Sequence, residues 1–138
     1  MTTLRIRVTF VDDSEKIYNS WDFLEKEIVV NIKGLNCVNN NLISLPDSLG
    51  NCTNLHSLEC QNNNLTSFPN SLGKCTNLNK LHCSNNKLTS LPDSLGKCTK
   101  LQWLYCYNNN LISLPNSLGN CTNLKYLDCD NNKMKEIR

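Results

Sequence analysis

Cysteine is the residue with the most evident chemical potential in this chain, with nine thiols among 138 residues. Thiols can form disulfides, bind zinc or act as nucleophiles. No Cys-x-x-Cys pair occurs, the count is odd, and leucines flank every cysteine. We therefore predict a reduced, buried thiol core without metal or cofactor, and keep a thiol or metal protein as the alternative. The cysteines recur at two positions of a 23-residue spacing: Cys37, Cys60, Cys83, Cys106 and Cys129, then Cys52, Cys75, Cys98 and Cys121.

A second group of reactive side chains shares one position of the same spacing: Glu59, His82, Tyr105 and Asp128. A histidine beside carboxylates can transfer protons or sense pH. No nucleophile accompanies this group, because Cys83 is predicted to point inward. His56 and His82 occupy different repeat positions, so they are not arranged as a metal-binding pair. We predict a non-enzymatic protein in which His82 forms hydrogen bonds on an open sheet.

The aromatic residues near the C-terminal end suggest a binding surface. Trp103, Tyr105 and Tyr107 alternate with Leu104 and Cys106, so the three rings are predicted to point outward together. Exposed Trp and Tyr are typical of binding hot spots. The alternative is that these rings only stack on each other and cover the sheet. The predicted partner-binding residues are Trp103, Tyr105, Tyr107, Tyr126, His82, Asp128 and Asp130.

The elements that must position these side chains come from one repeated unit. The stretch LHSLECQNNNLTSFPNSLGKCTN begins at Leu55, and similar units begin at Ile32, Leu78, Leu101 and Leu124. In each unit a short strand around Leu-x-Cys precedes an asparagine, and Leu-Pro then prevents the strand from continuing. The asparagines are predicted to form a hydrogen-bonded ladder, and the glycine of each SLG to adopt backbone angles that other residues avoid. Repeats of this length indicate a solenoid.

The unit resembles the leucine-rich repeat, L-x-x-L-x-L-x-x-N-x-L, with Cys in place of the third Leu. Its LPDSLG and LPNSLG halves resemble the 23-residue repeats of intracellular Ras-suppressor-type scaffolds and of bacterial, amoebal and giant-virus repeat proteins. The resemblance implies an α/β solenoid, a right-handed arc with a concave parallel sheet and convex 3₁₀ or irregular turns. It also implies a protein or peptide partner. A second hypothesis is that the chain serves as the recognition subunit for a separate enzyme, for example in a ubiquitin ligase or in a small-GTPase pathway.

The chain divides into a cap, residues 1–31, and five repeats, residues 32–138, the last incomplete. In the cap, LRIRVTF alternates as a strand. Ile17, Trp21, Leu24 and Ile28 have the spacing of one helical face, which predicts a helix after the strand. The cap is expected to cover the apolar end of the first repeat.

Charge and termini limit the partners. A net charge of +2, without a basic run, argues against nucleic acid and acidic membranes. The start, MTTLRIRVTF, lacks the apolar stretch of a signal peptide, so a cytoplasmic, reducing location is expected. The strand around Leu127 is predicted to have an open edge. A homodimer, or a self-assembling structural protein, is therefore a third hypothesis.

Overall fold

The computed structural model describes residues 3–135, which form one seven-stranded sheet with six short 3₁₀ helices. The strand order is β2-β1-β3-β4-β5-β6-β7. The strands are β1 (Ile6–Phe10), β2 (Glu15–Tyr18), β3 (Ile32–Asn36), β4 (Ser57–Glu59), β5 (Lys80–His82), β6 (Trp103–Tyr105) and β7 (Tyr126–Asp128). The 3₁₀ helices are η1 (Asp22–Glu25), η2 (Glu27–Asn31), η3 (Asp47–Asn51), η4 (Asn70–Lys74), η5 (Asp93–Lys97) and η6 (Asn116–Asn120).

Strands β3 to β7 are parallel, and each residue pairs with the residue one repeat further along the chain. Leu58 pairs with Leu81, and Leu81 with Leu104. Each of the strands β3 to β6 leads to a 3₁₀ helix that begins directly after a proline, and consecutive helices η3 to η6 pack against each other. The predicted solenoid of parallel strands and 3₁₀ turns is confirmed.

The core lies between the sheet and the 3₁₀ helices. Leu58, Leu81 and Leu104 are fully buried at equivalent strand positions, and the cysteine two residues after each is buried with them. A cysteine side chain is small, so the third apolar position of each unit fits under the sheet without crowding the next repeat. The predicted thiol core is confirmed for eight cysteines, whereas Cys129 is half-buried.

The cap differs from the sequence prediction. Residues 15–18 form β2, which pairs antiparallel with β1, and β1 also pairs antiparallel with β3. The predicted helix is therefore wrong. Ile17 and Ile28, two members of its supposed apolar face, are exposed, and only Leu24 is fully buried. Asp13, with a φ of 71°, turns the chain between β1 and β2, so the VDDS segment closes a hairpin and does not start a helix.

The prediction for the glycines is also wrong, because no described glycine has a positive φ. The asparagine before each ladder asparagine takes that conformation: Asn39, Asn62, Asn85, Asn108 and Asn131, with φ between 55° and 61°. Asparagine tolerates this region better than most residues. The glycines instead allow close packing. A Cβ on Gly73 would lie 2.7 Å from the Cβ of Ser94, so successive 3₁₀ helices could not approach each other.

Candidate functional site

The face of the sheet opposite the core carries every predicted binding residue that lies in a strand. We call it the open face. Its side chains form two rows across all seven strands, set by the cross-strand register. The first row contains Glu15, Thr9, Gly34, Ser57, Lys80, Trp103 and Tyr126, and the second contains Ile17, Arg7, Asn36, Glu59, His82, Tyr105 and Asp128. The cap hairpin therefore extends the open face beyond the five repeat strands.

An aromatic patch occupies the end of the open face formed by β5, β6 and β7. The Trp103 and Tyr126 rings are nearly parallel, with centroids 6.3 Å apart. The His82 ring lies 5.2 Å from the Tyr105 ring and 5.9 Å from the Tyr107 ring. Tyr126 is exposed and the other four are half-buried. The structure thus places these five predicted residues in one contiguous cluster, which we call the aromatic patch.

Two carboxylates border the aromatic patch, one at the end of β7 and one two residues after it. Asp128 pairs in register with Tyr105, and its carboxylate accepts a hydrogen bond from the backbone N–H of Asp130 at 3.1 Å. The ion pairs found among residues 3–135 lie elsewhere, between Lys33 and Asp13 and between Lys80 and Glu59. Within residues 3–135, neither Asp128 nor Asp130 forms an ion pair, so both carboxylates place negative charge beside the aromatic rings.

Within the aromatic patch, the surroundings of His82 alter the protonation of its ring. Burial lowers its pKa below the usual value of 6.5, nearby Lys80 lowers it further, and Glu59 opposes the change. The ring is therefore neutral near pH 7. Its Nε2 atom is buried without a hydrogen-bond partner among the described residues, and the same is true of Gln61 Oε1 and Ser84 Oγ. Polar atoms in this state retain unused hydrogen-bonding capacity.

A hollow of about 450 Å³ lies at the opposite end of the open face, where the cap meets the first two repeats. Small side chains form its floor, since Gly34 and Ser57 occupy positions where later repeats carry Lys80 and Trp103. The lining includes Arg7, Thr9, Glu15, Lys33, Asn36, His56 and Glu59. Sequence reasoning missed this hollow because it predicted a helix after the first strand, where the structure has β2. The alternation in LRIRVTF was the available signal, since it places Arg7 and Thr9 on the outer side of β1.

The eight buried cysteines form part of the core. Burial raises the pKa of five thiols to about 12: Cys37, Cys52, Cys75, Cys98 and Cys106. Burial also raises the pKa values of Cys60 and Cys83 well above the usual value. Protonated thiols at these positions donate to carbonyl groups, as Cys60 Sγ does to His82 O at 3.5 Å. Thiols in this state are poor nucleophiles and poor metal ligands.

Within residues 3–135, no group of three or more His, Cys, Asp or Glu side chains is placed to hold a metal ion. Over the same residues, no helix has the length and apolar character needed to cross a membrane. Neither observation indicates a candidate site in these residues apart from the open face.

Comparison with known proteins gives a consistent match to one repeat family. The family model described as "Leucine Rich repeats (2 copies)" matches residues 53–97, 76–115 and 99–138. No curated protein matches the sequence.

Several solved structures are similar. A leucine-rich-repeat protein of Leptospira interrogans is 35% identical, with a TM-score of 0.80 over 86% of this chain and 30% of its own. The functional domain of InlJ from Listeria monocytogenes, which includes a cysteine ladder, is 33% identical, with a TM-score of 0.71 over 81% of this chain and 23% of its own. The BIR3–SERK2 complex of Arabidopsis thaliana is 29% identical, with a TM-score of 0.68 over 76% of this chain and 58% of the matched chain. This chain thus spans less than a third of the length of the two bacterial proteins.

Proposed function

The chain belongs to the leucine-rich-repeat family, and from this premise we propose that it binds a protein or peptide partner through the open face of its sheet. Proteins of this fold generally serve as non-enzymatic interaction modules. One of the similar structures is itself a complex between two proteins. The fold alone does not select a surface, so the proposal depends on the side chains of the open face.

The observation that carries the proposal is the stacked pair of Trp103 and Tyr126. These rings stand side by side on neighbouring strands, and Tyr126 is 57% exposed to solvent. A large exposed aromatic surface with rigid rings offers binding energy at a low cost in conformational entropy. Stacking against Trp103 holds Tyr126 in place before a partner arrives, which reduces that cost further.

The dimensions of the sheet are compatible with such a partner. Seven strands spaced about 4.8 Å apart span roughly 29 Å, compared with roughly 20 Å for the five repeat strands alone. The cap hairpin thus enlarges the surface available to a partner. This brings the available area closer to the ~800 Å² that each partner buries in a standard interface. If the partner is an enzyme, the chain is its recognition subunit, and the same surface makes the contact.

The test is affinity capture from lysate of cells that contain the protein, followed by quantitative mass spectrometry. Wild type is compared with a Trp103→Ala/Tyr126→Ala variant. We expect the variant to lose the specific partner, since truncating an aromatic hot-spot residue costs about 2 kcal/mol of binding free energy. Retention of the same proteins by wild type and variant would contradict the proposal.

A matched control comes from the other exposed apolar side chains. Ile43 and Ile112 are 71% and 59% exposed and lie outside both rows of the open face. An Ile43→Ala/Ile112→Ala variant removes similar apolar area away from the patch, so it should bind like wild type. Thermal unfolding curves must show that both variants are folded.

A second candidate function, self-association, is favoured by the exposure of Leu127. This residue is 43% exposed, whereas the equivalent Leu58, Leu81 and Leu104 are fully buried. It lies in β7, one of the two edge strands of the sheet within residues 3–135. Pairing of two β7 edges would cover Leu127 and satisfy free backbone groups. Light scattering would then show a mass that rises above 15.7 kDa with concentration, and a Leu127→Glu variant would stay at 15.7 kDa. A wild-type mass fixed at that value excludes the dimer.

A further inference from the structure

The side chains around the aromatic patch are rich in hydrogen-bond acceptors. Two lines cross β4 to β7 at successive repeat positions: Glu59, His82, Tyr105 and Asp128, then Gln61, Ser84, Tyr107 and Asp130. None of these eight positions carries Lys or Arg. Lys80, which lies on β5 in the other row of the open face, is paired with Glu59 at 3.6 Å. We call these eight residues the acceptor strip.

Part of this acceptor capacity is unused. Ser84 is fully buried, and its Oγ has no hydrogen-bond partner among the described residues. Gln61 Oε1 and His82 Nε2 are unpartnered in the same way, and neutral His82 can accept at Nε2 when its proton is on Nδ1. Buried polar groups in native proteins almost always have a partner. These three atoms, on β5 or just after β4 and β5, are therefore available to a donor that a bound partner supplies.

The acidic end of the strip combines carboxylates with aromatic rings. Asp128 lies beside Tyr105 in the sheet register and two residues after Tyr126. The pairing continues past the strand ends, because Asn108 N–H donates to the Asp130 carbonyl at 3.0 Å, which keeps Asp130 next to Tyr107. A cation placed here would contact ring faces and carboxylates at once, and both interactions favour positive charge.

Building on the function proposed above, we propose that the partner presents an extended segment containing an arginine, whose guanidinium group lies between the Tyr105 and Tyr126 rings and the Asp128 and Asp130 carboxylates. Arginine fits better than lysine because its planar group stacks on rings and carries five donors. Other donors of the segment would then reach Ser84 and Gln61, which requires the half-buried Gln61 and Tyr107 side chains to rotate.

The test selects binders from a phage-displayed library of random linear peptides on the wild-type protein. We expect the selected peptides to share an arginine. A synthetic peptide of this kind is then titrated by fluorescence anisotropy against an Asp128→Asn/Asp130→Asn variant. Asparagine keeps the oxygen that accepts the Asp130 backbone N–H, so the variant loses charge without losing that hydrogen bond. Its affinity should fall about tenfold or more, and wild-type affinity should weaken with added salt.

The control variant is Asp47→Asn/Asp93→Asn, which makes the same change in net charge on η3 and η5, outside the open face. It should bind like wild type, and an Arg→Lys peptide should bind more weakly. Selected peptides without arginine, a tight-binding Arg→Lys peptide, or unchanged affinity in the Asp128→Asn/Asp130→Asn variant would each overturn the inference. If no peptide is selected, the inference also fails. The broader function would still stand if affinity capture finds a partner that depends on Trp103 and Tyr126.

Discussion

Asn86 joins neighbouring repeats through a hydrogen bond from the backbone N–H of Leu65 to its side-chain oxygen, with a distance of 2.9 Å. Its amide nitrogen donates to the carbonyl groups of Cys60 and Cys83, at 3.1 and 3.0 Å. Asn63 and Asn109 bond in the same way one repeat before and one repeat after. The predicted asparagine ladder is confirmed, and it satisfies backbone groups that the short strands leave unpaired.

The ladder predicts a large effect of Asn86→Ala. The substitution deletes a buried amide and leaves the Leu65 N–H without its acceptor. The Cys60 and Cys83 carbonyl groups lose one of their two donors and keep only the bonds from Asn63 and Asn109. We expect the free energy of unfolding to fall by about 3 kcal/mol. Urea denaturation measures it. Asn85→Gly is the control, because Asn85 is exposed with a φ of 57° that glycine also adopts, so its effect should stay below about 1 kcal/mol. Equal effects of the two substitutions would show that the ladder is not a main source of stability.

The packing of the 3₁₀ helices predicts opposite results for two glycines. A Cβ on Gly73 would lie 2.7 Å from Ser94 Cβ and 2.8 Å from its carbonyl oxygen, whereas a Cβ on Gly119 would meet nothing within 4 Å. Gly73→Ala must push η4 away from η5 and should cost about 2 kcal/mol or more. Gly119→Ala should be neutral or slightly stabilising, because it restricts the unfolded chain. The midpoints of thermal unfolding compare the two, and a similar loss in both would contradict the packing argument.

Thiol reactivity should separate Cys129 from the other cysteines. Cys129 is half-buried, and the other eight are buried. Burial raises the pKa of Cys106, at the equivalent position one repeat earlier, to about 12. In the native protein at pH 8 we expect one thiol to react quickly with an aromatic disulfide reagent and eight to react slowly.

Two variants assign the fast phase. Cys129→Ser should remove it, whereas Cys106→Ser should leave it unchanged. Simultaneous fast reaction of several thiols in the folded wild type would mean that the thiol core is open to solvent.

The sequence predicted the repeat region well because each of its interactions occurs several times. A leucine such as Leu81 and an asparagine such as Asn86 recur at fixed intervals, so the chain itself indicates which positions are structural. The cap has no such internal copy. The helical spacing of Ile17, Trp21, Leu24 and Ile28 is a coincidence. The turn at Asp13 instead brings the chain back as a hairpin.

The candidate site was predictable in the repeats, where the sequence alternates, and not where it depends on the cap or on side-chain packing. The alternation of Trp103 and Tyr105 with buried neighbours indicated the aromatic patch, although its role in binding stays a prediction. The hollow near Arg7 depends on β2, which the helix prediction excluded. The unsatisfied Ser84 hydroxyl could not be predicted from the sequence either. The residue type at that repeat position varies, from a valine at Val38 to an aspartate at Asp130, and only packing determines which of these side chains are buried.

The altered pKa of His82 predicts a pH dependence of stability. In the folded protein, burial and Lys80 keep the pKa of this ring below its usual 6.5, so the unfolded chain binds the proton more readily. Between these two pKa values the unfolded state carries more protons, and the free energy of unfolding therefore rises with pH. The stabilisation is complete above pH 6.5 and is lost as the pH falls through 6.5 toward the folded pKa.

Urea denaturation at a series of pH values between about 5.5 and 8 tests this, since most carboxyl groups stay ionised in that range. Wild type should lose stability toward the acidic end. A His82→Gln variant should show a flatter profile, because glutamine does not titrate, while His56→Gln keeps His82 and should retain the wild-type slope. Parallel profiles for wild type and His82→Gln would mean that the ring is protonated as easily in the folded protein as in the unfolded chain. Acidic pH would then charge His82 without destabilising the patch, and its contacts with Tyr105 and Tyr107 would have to accommodate an imidazolium.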